Sequence, residues 1–264
     1  MARLDPVAFG FEQEHSSEAE SESAFDHESA GQQAASVLNA RFAGLTAREL
    51  VERALTEIFP GRIALVSSFG AESAVLLHLV ASIDRSIPVV FMDTLRLFPE
   101  TLAYRDQLVE RLGLTEVRTI TPDPAALAAA DPHKALWMLD ADACCRIRKT
   151  EPLARAMEGF DAWFTGRKRF QAATRSAIQA FEQDGDRIKV NPLAAWTIDD
   201  LKAYVAEHEL PPHPLVANGY PSIGCVPCTS KVKPGEDARA GRWRGLDKTE
   251  CGIHLGLEND GSGI

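Results

Sequence analysis

No apolar run in the chain approaches the roughly 20 residues that a membrane-spanning helix needs. Met1 to Gly10 also lacks the basic start and apolar stretch of a secretory signal. These two absences lead to the expectation of a cytoplasmic protein with no membrane partner. Basic residues are outnumbered: 28 Lys and Arg face 38 Asp and Glu, a formal net charge of −10. A general affinity for nucleic acid backbone is therefore not expected. Cysteine is sparse and odd in number, at five. In a reducing compartment that count argues against a disulfide framework and for metal binding or catalysis. No internal repeat is visible.

At 264 residues with 45% hydrophobic and 25% charged residues, the chain suits one large domain, or one domain with appendages. Much of the negative charge is local. Glu12, Glu14, Glu18, Glu20, Glu22, Asp26 and Glu28 lie in a Ser- and Ala-rich stretch without Lys or Arg. Such a segment cannot bury enough apolar surface to offset its ordering entropy. Residues 1–36 are accordingly expected to be a disordered acidic arm, 37–230 the folded body, and 231–264 a flexible tail.

From Val37 onward helical periodicity begins, with Leu50, Ala54, Leu55 and Ile58 on one face. Pro60-Gly61 ends that helix, and Ile63 to Val66 reads as a buried parallel strand. Helical spacing resumes over Glu72 to Leu79. Strands are expected at Pro88 to Met92, Val117 to Ile120, Ala162 to Thr165 and Arg187 to Val190. Helices are expected at Pro99 to Leu112, around Pro152 to Met157, and from Ile198 to Glu207 with Thr197 as N-cap. This alternation predicts an α/β fold: a doubly wound, mostly parallel sheet with helices on both faces. Ligands of such sheets bind beyond the carboxyl ends of the strands, so the loops opening at Ser67, Asp93 and Gly166 should matter. From Pro221 to Lys248 the sequence is rich in Pro, Gly, Arg and Lys with little apolar periodicity. It reads as an irregular mobile tail rather than a second domain.

Four features carry chemistry. Cys144-Cys145 and Cys225-x-x-Cys228 supply four thiolates, which suit tetrahedral zinc or an iron–sulfur cluster. Adjacent side chains diverge in helical or extended backbone, so a tandem pair reaches two atoms of a larger cluster more readily than one small ion. Buried, unligated thiols are the plain alternative. Arg146, Arg148 and Lys149 follow the tandem pair and can offset cluster charge or attract an anionic substrate; a solvated helix start accounts for them equally well. Ser67-Ser68-Phe69-Gly70-Ala71-Glu72-Ser73 lies between a strand and a helix, where backbone N–H groups can meet a phosphate. Its order departs from the Gly-x-x-x-x-Gly-Lys-Ser/Thr loop of ordinary NTPases. Finally, Cys251, in Glu250-Cys251-Gly252-Ile253-His254, lies in a tail that looks too polar to bury it, and His254 is a candidate for helping to ionise it.

Together these segments resemble the assimilatory adenylyl-sulfate reductases, within the wider adenylyl-sulfate and phosphoadenylyl-sulfate reductase family. The resemblance runs from about Ile63 to Leu255. It rests on the Ser67 to Ser73 loop, Leu97-Phe98-Pro99-Glu100-Thr101, Cys144-Cys145-Arg146-Ile147-Arg148-Lys149, and Gly219-Tyr220-Pro221-Ser222-Ile223-Gly224-Cys225. Arg239-Ala240-Gly241-Arg242-Trp243 and Glu250 to His254 complete it. The resemblance implies an adenine nucleotide alpha-hydrolase-like fold and a [4Fe–4S] cluster on Cys144, Cys145, Cys225 and Cys228. It implies substrate binding by Ser67, Ser68, Phe69, Lys149, Arg169, Arg239 and Arg242, with Cys251 as nucleophile. The implied reaction is reduction of adenylyl sulfate to sulfite and AMP in sulfate assimilation and cysteine biosynthesis, through an S-sulfocysteine, with thioredoxin or glutaredoxin as donor. A homo-oligomer stays open.

Two departures from the family pattern stand out. Asp93-Thr94-Leu95 replaces Asp-Thr-Gly, and Lys168 replaces an Arg in Thr165-Gly166-Arg167-Lys168-Arg169, which leaves the substrate contact open among Arg167, Lys168 and Arg169. The alternatives are a reductase for the 3′-phosphorylated nucleotide and, from another class, a zinc-containing ATP pyrophosphatase. The latter would carry Ser-Gly-Gly-x-Asp at the first loop, which Ser67 to Ala71 does not match.

Overall fold

The structure, a computed structural model, describes residues 33–246 and 248–254. Most of the acidic arm (1–32) and the last ten residues (255–264) lie outside the described residues. Residues 33–36, expected in the arm, belong instead to a helix, α1 (33–41), which buries Ala35. Helix α2 (Ala47–Arg53) starts at a capping box in which Thr46 and Glu49 satisfy each other's backbone N–H, and it widens into a π-turn over Ala54–Ile58.

The sheet has six strands: β1 (Ile63–Ser67), β2 (Val89–Met92), β3 (Val117–Ile120), β4 (Ala162–Phe164), β5 (Phe181–Asp184) and β6 (Arg187–Val190). Their spatial order is β3-β2-β1-β4-β6-β5. All neighbours are parallel except β5, which pairs antiparallel with β6 at the edge. The helices are α3 (Ser73–Ala81), α4 (Pro99–Leu112), α5 (Pro124–Ala130), α6 (Leu136–Leu139), α7 (Ala141–Cys145), α8 (Glu151–Ala156) and α9 (Ile198–Glu207).

Both faces of the sheet are covered, and the strand alternation shows how. Ile63 and Leu65, Val89 and Phe91, and Ala162 and Phe164 point into one core with α3, α4 and α9. Ala64, Val90, Met92 and Trp163 point into the other with Leu153 of α8. That is why β1, β2 and β4 read as continuous apolar runs rather than alternating ones. The order reverses between β2 and β4, on either side of β1. A crevice therefore opens at the carboxyl ends of β1 and β4, where Ser67 and Thr165 emerge.

Among the described residues beyond α9, the chain forms only 3₁₀ turns and isolated bridges, Leu97 to Cys225 and Thr229 to Arg242. The described part of the segment expected as a flexible tail, 231–246 and 248–254, is nonetheless laid against the body. Trp243 and Glu250 are buried. Arg242 and Arg239 stand over the Trp243 ring, with guanidinium carbons 4.4 and 5.9 Å from its centroid, and Lys248 pairs with Asp142 of α7. Cation–π and ion-pair contacts hold this region, which is why apolar periodicity gave no sign of it.

Candidate active site

A cleft of about 390 Å³ opens at this crevice. Its floor is the end of β1, Ser67, Ser68 and Gly70, with Trp163 and Thr165 of the β4 end. One wall is the loop after β4, with Arg167, Lys168, Gln171 and Arg175. The opposite wall comes from Pro221 to Gly224, Arg239, Arg242 and Cys251.

Most of the site residues expected from the sequence meet here. Ser67, Ser68, Lys149, Arg239, Arg242 and Cys251 all line the cleft. Two do not. Phe69 is fully buried, with its ring edge-on to Phe91 at 5.3 Å, so its side chain belongs to the core. A backbone φ of 47° at Phe69 turns the loop so that its neighbours, not its ring, face the cleft. Arg169 is exposed and donates from Nε to the Ile178 carbonyl at 2.9 Å. Arg167 and Lys168 line the cleft in its place, but each is already paired, Arg167 with Glu182 and Lys168 with Glu72.

Lys149 and Arg148 owe their opposite directions to an irregular helix. Asp140 caps α7 by accepting from the N–H groups of Asp142 and Ala143. The helix then widens into a π-turn over Arg146–Thr150 before continuing as α8. Such turns redirect side chains and recur at functional sites. Arg148 turns inward: Nη1 donates to the Thr94 carbonyl at 2.9 Å and Nη2 to Asp131 at 2.8 Å. Lys149 turns to the cleft, with Nζ 3.6 Å from the Cys251 sulfur. Burial alone would push the Lys149 ammonium down, but the surrounding Cys225, Cys251 and Cys145 hold its pKa above the usual range. It stays charged. The Cys251 thiol moves the other way. Hydrogen bonding with Cys145, then the charge of Lys149, the Ile253 N–H and Arg242 hold it well below the ordinary thiol value against the opposing effect of burial. Cys145 donates this bond only as a thiol and raises Lys149 only as a thiolate, so the pull of Lys149 and Arg242 on Cys251 is the part common to both states.

His254 plays no part in this ionisation through its ring. The ring stacks on Trp163 at 6.2 Å and 7°, and only its backbone N–H reaches the Cys251 carbonyl. Burial, and then the positive charges of Arg167, Arg175, Lys189 and Arg239, hold it neutral. Gly252 matters for close approach, because an added Cβ would lie 3.1 Å from Thr150 Oγ1.

Behind Lys149, Cys144, Cys145, Cys225 and Cys228 line one small cavity together with Arg148, Arg242 and Trp243. Thr94 Oγ1 lies 3.2 Å from the Cys225 sulfur. The Nε–H groups of Arg148 and Arg242 are buried without a protein partner. Among the described residues, no three His, Cys, Asp or Glu side chains gather closely enough to hold a single metal ion. A zinc ion with Zn–S bonds of about 2.3 Å would need its sulfurs within roughly 4 Å of one another. Four thiols around one cavity, with two orphaned cationic donors at its wall, are by their chemistry a donor set for an anionic group that shares several thiolates rather than for one small ion.

Sequence reasoning missed Trp163, Gln171 and Arg175. Trp163 read as an ordinary strand residue, and nothing in the loop after β4 sets Gln171 or Arg175 apart. Among the described residues no helix is long and apolar enough to cross a membrane.

The phosphoadenosine phosphosulfate reductase domain family matches residues 62–231. An adenosine 5′-phosphosulfate reductase of Mesorhizobium japonicum is 58% identical over 222 residues, covering 84% of this chain and 87% of the relative. One from a Chelativorans species is 56% identical, covering 84% and 91%. A crystal structure of the phosphoadenylyl-sulfate reductase of Candida auris superimposes with a TM-score of 0.64 at 28% identity, covering 76% of this chain and 97% of that one. With this identity over most of both sequences, and with the family match spanning the sheet and the first three cleft loops, the chain belongs to the adenosine 5′-phosphosulfate reductases.

Proposed function

We propose that the cleft binds adenylyl sulfate and that Cys251 attacks its sulfur, giving sulfite and AMP for sulfate assimilation and cysteine biosynthesis. The observation that carries this reading is the Cys251 sulfur 3.6 Å from the Lys149 ammonium, in a cleft also lined by Arg239 and Arg242. These cations suit a doubly anionic phosphate–sulfate group. They favour thiolate over thiol, and they stabilise charge that develops on the departing phosphate. Ser67, Ser68 and the backbone of the loop leading into α3 suit the nucleotide.

The chemistry proceeds in two steps. The Cys251 thiolate forms a bond to the substrate sulfur, the sulfur–oxygen bond to the phosphate breaks, and AMP leaves, so the enzyme carries Cys251–S–SO₃⁻. A dithiol donor of the thioredoxin or glutaredoxin class then attacks the Cys251 sulfur and releases sulfite as a mixed disulfide forms. The donor's second thiol resolves that disulfide and regenerates Cys251. The two electrons that take sulfur from sulfate to sulfite come from the dithiol.

Cys144, Cys145, Cys225 and Cys228 would hold a [4Fe–4S] cluster, whose chemistry here is structural and electrostatic. Arg148, Arg242 and Thr94 would donate toward its sulfurs. Lys149, bridging that cavity and the cleft, keeps its charge beside Cys251.

Anaerobic purification with iron and sulfide assays should give about four of each per chain. Cys251→Ser should abolish sulfite formation, and adenylyl sulfate should be consumed in preference to its 3′-phosphorylated form. Stoichiometric zinc without sulfide, or a Cys251→Ser variant with normal turnover, would sink the corresponding half of the reading.

A further inference from the structure

Glu250 and Cys251 are adjacent, so whatever holds the Glu250 carboxylate also fixes the thiol. That carboxylate is buried, at 6% exposure, and Arg175 grips it with both arms of its guanidinium. Nε donates to Oε1 and Nη2 to Oε2, each at 2.7 Å. Thr174 Oγ1 adds a hydrogen bond to Oε1 at 3.1 Å, and Arg239 Nη2 one to Oε2 at 3.3 Å. Arg175 is aligned in turn by Gln171, whose Oε1 accepts from Nη1 at 2.5 Å. Gln171 Nε2 donates to Glu72, in the loop after β1, at 2.7 Å. On the other side of Cys251, among the described residues, Ile253 packs against the second core and the His254 ring stacks on Trp163.

We propose that Arg175 is the docking residue of the reactive segment: its two-pronged pair with Glu250 sets how much of the time Cys251 is seated against Lys149. The functional meaning rests on Cys251 being the nucleophile; the docking itself does not. A thiol that must meet a nucleotide inside a cleft and a protein dithiol outside it needs a contact strong enough to seat it. That contact should also come apart without adding to the apolar surface that Ile253 and His254 uncover when the segment departs. A bidentate Arg–carboxylate pair meets both demands. It has directional strength when buried, and both partners regain full hydration on release. A larger apolar anchor would widen the surface exposed at every turnover. Because Gln171 joins Arg175 to Glu72, the grip on the tail and the shape of the nucleotide loop share one bridge. Arg175 touches no reacting atom and acts through Glu250, as a positioning residue.

Amide hydrogen exchange on the full-length holoenzyme tests this, read in the peptide covering residues 248–254. Arg175→Ala and Glu250→Gln should each speed exchange there by about tenfold or more. Arg175→Lys, which keeps the charge and loses the fork, should fall between them and the parent. Turnover should drop in step, with KM for adenylyl sulfate within about twofold of the parent in Glu250→Gln. Arg175→Ala, at the cleft wall and joined through Gln171 to the nucleotide loop, should raise KM as well. Exchange in the β1 and β4 peptides that stays at the parent rate in Glu250→Gln separates lost docking from a loosened core. Exchange within about twofold of the parent in both Arg175→Ala and Glu250→Gln overturns the proposal. Cys251→Ser separates the two readings, because its turnover reports the nucleophile and its exchange reports only the docking.

Discussion

The parallel sheet and the segment after α9 are held in opposite ways. In β1, β2 and β4 nearly every side chain is buried and apolar, and successive residues feed two cores on the two faces. From Pro211 to His254 only a few large apolar side chains, such as Leu215, Ile223 and Trp243, are buried. The rest is fixed by ion pairs, cation–π contacts and bonds to backbone carbonyls. Burial of apolar area is non-directional and tolerant, whereas the polar contacts are few, directional and individually replaceable by water. The first region makes a rigid floor. The second makes a surface that can carry a reactive group and let it go.

The contrast is broken most severely in the sheet. Phe164→Ala in β4 should cost about 3–5 kcal/mol in urea unfolding, since a fully buried ring leaves a cavity that the sheet cannot close. Next comes Asp131→Ala, which strands the buried Arg148 guanidinium that holds the Thr94 carbonyl. A loss of about 3 kcal/mol is expected, with iron content falling as the Thr94 loop loosens.

Gly224→Ala sharpens the view of the second region, because an added Cβ would run into the Arg242 guanidinium. It should cost about 1–3 kcal/mol of stability, and weaken adenylyl sulfate binding in calorimetry more than a core change of equal cost. His213 joins the regions. Its Nδ1 accepts from the Leu215 N–H, so its other nitrogen donates to Thr101 at the start of α4. Burial pushes its pKa down to about 4, so as pH falls below about 6.5 the unfolded chain takes up a proton that the folded one refuses. Stability should therefore drop by about 2 kcal/mol between pH 7 and pH 5, and His213→Gln should flatten that part of the urea-midpoint profile. The smallest effect is a gain. Leu95 is 55% exposed and sits at a φ of 58°, a left-handed conformation that costs a side-chain-bearing residue. Leu95→Gly should raise stability by up to about 1 kcal/mol in the same assay.

Legibility followed the same divide. Ile63 to Val66, Pro99 to Leu112, Val117 to Ile120, Arg187 to Val190 and the Thr197-capped α9 were all readable, because their apolar spacing and caps are local signals. Strand β5 was not, since Phe181-Glu182-Gln183-Asp184 has only one apolar residue and gains its pairing from β6. Helices α5 to α7 escaped for a related reason: the Ala-rich run from Pro124 carries no apolar stripe, and Asp123 and Asp140 mark its starts only in hindsight. Phe69 looked like a site residue because it sits in a site motif, yet the backbone turn sends its ring into the core. Arg169 looked basic and available, yet it is spent on a loop carbonyl.

The sequence alone determined the alternating α/β order, the loops at Ser67, Asp93 and Gly166 as those that matter, and the five cysteines with their cationic neighbours. Each of these is written in residue types at short separations. Only the tertiary structure decided that the four cysteines share one cavity and that Lys149 meets Cys251 across 102 positions of chain. It also decided that Arg175, without any mark in its own neighbourhood, closes on Glu250. Those pairings depend on where the sheet, the π-turn and the loop after β4 bring distant polar groups together, and polar groups leave no periodic trace of their partners.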